Sequence, residues 1–201
     1  PDNPAGNLIS IEFIEKTTAK CRQENSILVL DECFIDLAEN GESAVPLIKK
    51  YDNLIIIKAF TKTYSFAGFR LGYALANEKI TNIIDNMLPE WRVSMPANMC
   101  GIAALSDKSF INSSINYIKK EKEYLINNLK LFSFTIYGSE ANYIFFYADI
   151  FDLKERLEKY NILIRDCSNY SGLEKGYYRV AVKKHEDNEK LINALKEILN
   201  G

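Results

Sequence analysis

The sequence predicts an α/β segment followed by a smaller α+β segment. In the first half, three short and unbroken apolar runs are typical of strands buried on both faces of a mainly parallel sheet. These runs are SILVLDE, NLIIIKAF and RLGYALA. Four short strand-like runs follow a long predicted helix at 111–130. We therefore place the α/β segment at 1–110, and the linking helix with the small segment at 111–201.

The first segment begins with a turn and continues with a helix. Pro4 and Gly6 in NPAG exclude a continuous helix. Apolar residues at helical spacing then predict a helix over 8–24, and further helices are expected at 78–88 and 97–108. A sheet of only three such strands would have open edges and one uncovered face. We therefore expect this chain to be the C-terminal part of a longer protein.

The second segment is predicted to consist of short strands between amphipathic helices. One stripe of the long helix carries Ile111, Ile115, Ile118, Leu125 and Leu129. Strands are predicted at FSFTIYG, ANYIFFYAD, NILIRDC and YYRVAVK, with a helix between 150 and 160. Leucines recur every four residues in the closing run HEDNEKLINALKEILN, which predicts a final helix. The charged run KKEKE at 119–123 is interpreted as a solvated face of the long helix.

The composition argues against several classes of function. The 201 residues include 25 lysines and arginines and 27 aspartates and glutamates, and this net charge of −2 favours neither nucleic acid nor a membrane surface. No run approaches the ~18–20 apolar residues of a membrane span, and we expect no secretory signal. The four cysteines lack CxxC spacing, so we expect reduced thiols in a cytoplasmic protein. No metal site is expected, because the single histidine, His185, lies in a charged run and is interpreted as solvated.

Three chemically active side chains lie at or near the ends of predicted strands. Asp31 ends the first strand and Lys62 comes directly after the second, and ligands of open α/β sheets bind beyond such strand ends. A desolvated lysine amine forms Schiff bases with carbonyls. Arg70 suits a phosphate, because its planar fork binds two oxygen atoms at once. Taken singly, each residue also fits a surface or ion-pair role, but together they match the groups that pyridoxal phosphate requires.

Four ordered blocks resemble the class I/II aminotransferase family of fold-type I pyridoxal-phosphate enzymes. They are PDNPAG, LDECFIDL, FTKTYSFAGFRLGY and YYRVAVKKHEDNEKL. The resemblance covers the whole chain, but only the latter part of the family's usual length. It implies a partial pyridoxal-phosphate transferase large domain, with a mainly parallel sheet and flanking helices, followed by a smaller α+β C-terminal domain.

The resemblance also implies roles for individual residues. Lys62 would bond covalently to the cofactor aldehyde and afterwards shuttle a proton. Asp31 would keep the pyridine nitrogen protonated, and Asn3 would hydrogen-bond the cofactor's 3′-hydroxyl. Thr61 and Arg70 would hold its phosphate.

Two branches of the family are similar to this chain, the histidinol-phosphate aminotransferases and the threonine-phosphate decarboxylases of cobalamin biosynthesis. Arg179 would receive the substrate carboxylate, and the segment around Arg165 resembles the decarboxylase segment with a second substrate arginine. Two arginines suit a substrate with a carboxylate and a phosphate. Phe34, where the aminotransferase pattern usually has tyrosine, also favours the decarboxylase. Both reactions begin from the same covalent substrate complex, so transamination stays the alternative.

The resemblance implies a homodimer that acts on a small phosphorylated amino acid. Trp91 is expected either near the subunit interface or in the core. The family's N-terminal half normally supplies part of the phosphate cradle and the aromatic residue that stacks on the pyridine. We therefore expect this chain alone to bind the cofactor weakly and to show little activity. A truncated, non-catalytic domain is a further alternative.

Overall fold

The computed structural model describes residues 1–107 and 109–200. Lys108 and Gly201, at which a predicted helix and the predicted small segment end, lie outside the described residues. No helix in the described part of the chain is long and apolar enough to span a bilayer.

The chain divides into two compact units, each held together by its internal contacts. The N-terminal unit is Ile9–Ser113, and the C-terminal unit joins Pro1–Leu8 to the chain from Ser114 onward. The predicted boundary at residue 110 lies close to this division, but the first eight residues belong to the C-terminal unit. The assignment of these units to the large and small domains of the family stays a prediction.

Hydrogen bonds explain why the first residues belong to the C-terminal unit. The backbone N–H of Glu140 donates to the carbonyl of Gly6 at 2.9 Å. The hydroxyl of Tyr143 donates to the carbonyl of Asp2. The NPAG turn is therefore fixed against the sheet of the C-terminal unit.

A three-stranded sheet in the order β1–β2–β3 forms the centre of the N-terminal unit. Its strands are β1 (Leu28–Asp31), β2 (Leu54–Ala59) and β3 (Gly72–Leu75). The helices are α1 (Ile11–Gln23), α2 (Phe60–Thr63), α3 (Glu78–Met87) and α4 (Met95–Ser106). Strands β1 and β2 are parallel, whereas β3 is antiparallel to β2, so the prediction of a third parallel strand was wrong. The chain folds back after β2, because the N–H of Phe60 donates to the carbonyl of Leu71 at 3.1 Å.

The two faces of this sheet differ. One face packs on α1 through a buried cluster that includes Ile14, Leu54 and Ile56. The other face carries Val29 and Ile57, whose side chains are exposed in this chain. This agrees with the expectation that three strands leave one face uncovered. Asp31 lies on the uncovered face, since it is the cross-strand neighbour of Ile57.

The helical part of the N-terminal unit also leaves apolar side chains exposed. Trp91 is 94% exposed, which excludes core packing for this residue within this chain. Helix α4 buries Ala97 and Gly101 but exposes Met95, Met99, Ile102 and Leu105.

A four-stranded antiparallel sheet in the order β4–β5–β7–β6 forms the C-terminal unit. Its strands are β4 (Thr135–Ile136), β5 (Tyr143–Tyr147), β6 (Arg165–Asp166) and β7 (Tyr177–Ala181). The helices are α5 (Phe110–Leu131), which begins in the N-terminal unit, α6 (Leu153–Glu158) and α7 (His185–Asn200). Leu125 and Leu129 of the predicted α5 stripe are fully buried against this sheet, in one cluster with Phe146, Tyr178 and Leu195.

Glu121 contradicts the interpretation of 119–123 as an entirely solvated face. Its side chain is only 2% exposed. The carboxylate accepts hydrogen bonds from Nδ2 of Asn188 at 2.9 Å and lies 3.1 Å from Nδ1 of His185. His185 is half-exposed, as expected, but it is also a partner of this buried acid. The contact between α5 and α7 is not visible in sequence, because the two helices are more than 60 residues apart.

The contacts of Glu121 with Asn188 and His185 lead us to predict that the protein loses stability in acid. Burial raises the pKa of the Glu121 carboxyl, but the hydrogen bonds from Asn188 and His185 outweigh burial and hold that pKa below 4.5. The stabilisation is therefore fully present above about pH 4.5 and is lost as the pH falls through the lower folded-state pKa. Urea unfolding between pH 7 and pH 3 should show a smaller acid loss for Glu121→Gln than for the wild type. The matched variant Glu123→Gln, on the exposed side of α5, should follow the wild type.

Candidate functional site

The carboxyl end of β1 presents Asp31 to solvent. Asp31 is the last residue of the strand, and its side chain lies on the uncovered face. Its Oδ1 accepts a hydrogen bond from the backbone N–H of Cys33 at 2.9 Å. This bond fixes the carboxylate at the point where the strand turns away.

Lys62 lies on α2, a single helical turn that follows β2 directly. Phe60 and Thr63 are the buried residues of this turn, Thr61 is half-buried, and Lys62 is exposed. The expectation of a desolvated Lys62 was therefore wrong for this chain, because the turn directs its other side chains inward. Nζ of Lys62 lies 5.5 Å from the centroid of the Phe34 ring, within the range of a cation–π contact.

The pKa of the Cys33 thiol responds to both Asp31 and Lys62. Burial, the hydrogen bond with Asp31 and the negative charge of Asp31 together raise the pKa of the Cys33 thiol to about 12. The positive charge of Lys62 acts in the opposite direction on the same thiol. The carboxylate and the ammonium therefore act electrostatically on the same thiol, as a common site requires.

The reactivity of Cys33 tests this arrangement without any cofactor. The thiolate is the reactive form, so a pKa of about 12 predicts slow alkylation by iodoacetamide near pH 8. Asp31→Asn removes the negative charge but keeps an oxygen for the N–H of Cys33, and we expect it to speed alkylation several-fold. Lys62→Ala should slow the alkylation of Cys33, because it removes the positive charge that lowers the thiol pKa. Peptide mass spectrometry of timed samples gives the rate at each cysteine, with Cys21 as the internal control. Equal Cys33 rates in all three proteins would contradict a shared site for Asp31 and Lys62.

Arg70 lies in the loop that leads from α2 back to β3. Its Nη1 donates to the carbonyl of Ala67 at 3.0 Å, and its side chain is exposed. Ser65 and Arg70 both have left-handed backbone conformations, with φ of 57° and 52°. Such conformations cost on the order of 1 kcal/mol or more in residues other than glycine, and they concentrate at ligand-binding loops.

Aromatic packing stabilises this strained loop. The ring of Tyr64 lies 5.2 Å from that of Phe60 and 5.5 Å from that of Phe110. The rings of Phe66 and Phe69 meet edge to face at 5.5 Å. Tyr64 was given no role from the sequence, and the structure shows that it anchors the loop carrying Arg70.

A buried ion network lies beneath this strand end and was missed from the sequence. Lys58, on β2, is 8% exposed and donates to Oδ1 of Asp36 at 2.6 Å. It also lies 3.5 Å from Oε2 of Glu32, which is 4% exposed. Oε1 of Glu32 accepts from the N–H of Ala44 at 2.6 Å. The buried lysine of this region is therefore Lys58, four residues before Lys62.

The C-terminal unit brings the two predicted substrate arginines together. Arg165 on β6 and Arg179 on β7 are direct cross-strand neighbours. Cross-strand side chains begin about 5 Å apart, and like charges in such positions destabilise a sheet. In the described part of the chain, neither guanidinium has a carboxylate within ion-pair distance. The pair is thus an uncompensated positive site on the sheet.

Asn3 joins the same cluster. Its Oδ1 accepts hydrogen bonds from Nη1 of Arg179 and from the hydroxyl of Tyr170, the latter at 3.2 Å. The guanidinium of Arg179 also lies 4.8 Å from the centroid of the Tyr143 ring. Tyr143 and Tyr170 were missed from the sequence, because their proximity to the arginines depends on the register of β5 with β7 and on the turn after β6.

The residues at the end of β1 and β2 fit the expected cofactor. An exposed carboxylate and an exposed amine both act electrostatically on Cys33, and an exposed guanidinium lies in the loop that leads to β3. The carboxylate suits a protonated pyridine nitrogen, the amine suits an aldehyde, and the guanidinium suits a phosphate. Among the described residues, no group of histidine, cysteine, aspartate and glutamate could hold a metal ion.

Comparison with known proteins gives one consistent result. The family model of aminotransferase class I and II matches residues 1–195. The histidinol-phosphate aminotransferase of Methanocaldococcus jannaschii is 31% identical over 204 residues, which is 100% of this chain and 54% of that protein. The threonine-phosphate decarboxylase of Salmonella typhimurium is 32% identical over 206 residues, which is 100% of this chain and 56% of that protein.

A solved structure agrees with these sequence relatives. The histidinol-phosphate aminotransferase of Clostridium acetobutylicum superposes with a TM-score of 0.93 at 31% identity, covering 100% of this chain and 62% of that one. The chain spans about half the length of the curated relatives that it matches. The predicted partial pyridoxal-phosphate transferase fold is confirmed. The chain belongs to the aminotransferase class I and II family, whose cofactor is pyridoxal phosphate.

Proposed function

We propose that this chain is the C-terminal part of a pyridoxal-phosphate enzyme that decarboxylates a phosphorylated amino acid, as threonine-phosphate decarboxylases do. The observation that carries the proposal is the direct pairing of Arg165 with Arg179. Two adjacent guanidinium groups without a carboxylate partner suit a ligand with two anionic groups, because each can bind one anion bidentately. A carboxylate and a phosphate on one small molecule meet this requirement.

In this proposal, four residues of the N-terminal unit hold the cofactor. Asp31 would accept a hydrogen bond from the ring nitrogen, while Thr61 and Arg70 would bind the phosphate. Nζ of Lys62 would supply the amine for the aldehyde group and would carry a proton to or from the substrate α-carbon. When bound, pyridoxal phosphate supplies an electron sink for the bond that breaks at that carbon.

Asn3 binds the cofactor's 3′-hydroxyl in this proposal. Its two contacts within the C-terminal unit both use the carboxamide oxygen. The donors of Asn3 available for a hydroxyl are therefore those of Nδ2. The same side chain thus has distinct atoms for Arg179 and for the cofactor.

Phe34 favours decarboxylation over transamination. The centroid of its ring lies 5.5 Å from Nζ of Lys62, and phenylalanine lacks the hydroxyl group of the tyrosine that is usual in the aminotransferase pattern. Phenylalanine keeps the cation–π contact but offers no hydrogen bond to the cofactor. The second candidate function is transamination of histidinol phosphate, favoured by the similarity to histidinol-phosphate aminotransferases at 31% identity.

One experiment separates these functions. The chain, at high concentration with pyridoxal phosphate, is incubated with O-phospho-L-threonine and separately with histidinol phosphate plus 2-oxoglutarate. We expect release of carbon dioxide from the first mixture and no glutamate from the second. Glutamate without carbon dioxide would overturn the decarboxylase in favour of the aminotransferase. Products no higher than those of Lys62→Ala in both mixtures would support the truncated, non-catalytic domain.

The oligomeric state belongs to the proposal as well. We propose a homodimer, in which the exposed apolar residues around Trp91 and α4 contribute to subunit contacts. Analytical ultracentrifugation of the chain across a hundredfold concentration range tests this. A sedimentation coefficient independent of concentration and equal to that of a 23.0 kDa monomer would contradict it.

A further inference from the structure

The paired arginines need neutral partners that hold them in place. Their charges repel across the strand pair. Each long side chain also loses on the order of 2 kcal/mol of conformational freedom when it is fixed. Because no described carboxylate pairs with either guanidinium, their orientation depends on uncharged groups.

Tyr170 contacts both halves of this cluster. Its ring centroid lies 5.5 Å from Cζ of Arg165. Its hydroxyl donates to Oδ1 of Asn3 at 3.2 Å, and the same oxygen accepts from Arg179. One side chain is therefore connected to Arg165 by its ring and to Arg179 through Asn3.

The turn after β6 fixes Tyr170 itself. The backbone N–H of Tyr170 donates to the carbonyl of Cys167 at 3.1 Å, and Cys167 is fully buried. The preceding residue, Asn169, accepts a hydrogen bond from Nη2 of Arg165 at 2.9 Å. The turn thus presents two adjacent side chains to Arg165, one as a hydrogen-bond acceptor and one as an aromatic surface.

We propose that Tyr170 is a positioning residue that sets the spacing of the two guanidinium groups. Its ring orients Arg165, and its hydroxyl orients the Asn3 carboxamide that receives Arg179. The arginines then meet the two anions of the substrate without rearrangement, which lowers the cost of binding. The identity of these anions rests on the proposed function, whereas the orientation of the arginines does not.

Two variants of Tyr170 separate its ring from its hydroxyl. Tyr170→Phe keeps the ring beside Arg165 and removes the donor to Asn3. Tyr170→Leu removes both. The control is Tyr160→Phe, at the end of α6, where the tyrosine interacts with Glu197.

Side-chain NMR of the ligand-free chain gives the primary readout. We expect Tyr170→Phe to increase the mobility of the Asn3 carboxamide, seen in its heteronuclear NOE, while the Nε–H of Arg165 keeps its wild-type NOE. Tyr170→Leu should increase the mobility of both. Backbone amide shifts beyond this cluster should stay unchanged in each variant, which a general loss of structure would not allow. Wild-type NOE values for Asn3 and Arg165 in Tyr170→Leu would overturn the proposal.

Ligand binding gives a second and independent readout. Titration with O-phospho-L-threonine and with L-threonine measures the preference of the wild-type chain for the dianion. We expect Tyr170→Leu to lower affinity for O-phospho-L-threonine, whose two anionic groups use both arginines, about 5- to 10-fold, and to lower affinity for L-threonine, which has one anionic group, by a smaller factor. An unchanged preference in Tyr170→Leu would overturn the positioning role. A wild-type chain without this preference would overturn the proposed substrate class, and the NMR result would still decide the role of Tyr170.

Discussion

Replacing Lys62 by alanine is expected to abolish covalent attachment of pyridoxal phosphate and to lower turnover by about a thousandfold or more. The proposed amine at Nζ both forms the bond to the aldehyde and moves a proton, and loss of a proton-transfer group alone typically costs about 10²–10⁴-fold. Reduction with borohydride, followed by peptide mass spectrometry, locates the attached cofactor. In the wild-type chain we expect partial labelling at Lys62, because cofactor binding by this chain alone is predicted to be weak.

Two variants make this test specific. Lys62→Arg keeps a cation beside Phe34 but has no nucleophilic amine, so it should behave like Lys62→Ala. Lys79→Ala, which changes an exposed lysine at the start of α3, should be labelled as the wild type. Labelling of another lysine to the wild-type extent in Lys62→Ala would remove Lys62 from the proposed role. Strong labelling of the wild-type chain that Lys62→Ala abolishes would instead refute the prediction of weak binding.

The elements of the fold were predictable because their patterns are local. The apolar runs of β1 and β2 and the four-residue recurrence of leucine in α7 appear directly in the chain. The direction of β3 was not predictable in the same way, since an apolar run does not specify parallel or antiparallel pairing. It depends on the hydrogen bond between Phe60 and Leu71, which closes the loop between them.

Residues of the candidate site could be predicted only where the chemistry of the residue type itself indicated a role. Asp31 and Lys62 were selected for their chemistry and their positions at strand ends, and Arg70 for its chemistry and its nearness to Lys62 in the sequence. Lys58 and Glu121 escaped notice, because charged residues are almost always exposed and their burial depends on partners far along the chain. Tyr170 lies 167 residues from Asn3, and no spacing rule connects them.

The second large effect is expected from Lys58→Met in the N-terminal unit. Removing one member of a buried ion pair leaves its partners charged and desolvated, which typically destabilises a protein by about 3–5 kcal/mol. In Lys58→Met, the carboxylates left without their lysine partner are Glu32, which is 4% exposed, and Asp36. A loss of this size is a large part of the typical stability of about 5–15 kcal/mol. Urea unfolding followed by circular dichroism measures it.

A matched substitution controls for the loss of a lysine. Lys20 forms an exposed ion pair with Glu24 on α1, with both side chains more than 60% exposed. Such pairs contribute about 0.3–0.5 kcal/mol, so Lys20→Met should leave the free energy of unfolding nearly unchanged. If Lys58→Met cost no more than Lys20→Met, the network would have no role in stability.

The pH dependence gives the same prediction a second measurement. Burial lowers the pKa of the Lys58 ammonium, but the hydrogen bond and charge of Asp36 and the charge of Glu32 outweigh burial and raise it above 10.5. The stabilisation is therefore fully present below about pH 10.5 and is lost as the pH rises through the higher folded-state pKa. Lys58→Met cannot show this alkaline loss, whereas Lys20→Met should retain it. Because Glu32 follows Asp31 and Lys58 lies on β2 four residues before Lys62, we also expect Lys58→Met to reduce cofactor labelling at Lys62. Wild-type labelling in this variant would mean that the strand ends keep their arrangement without the buried ion network.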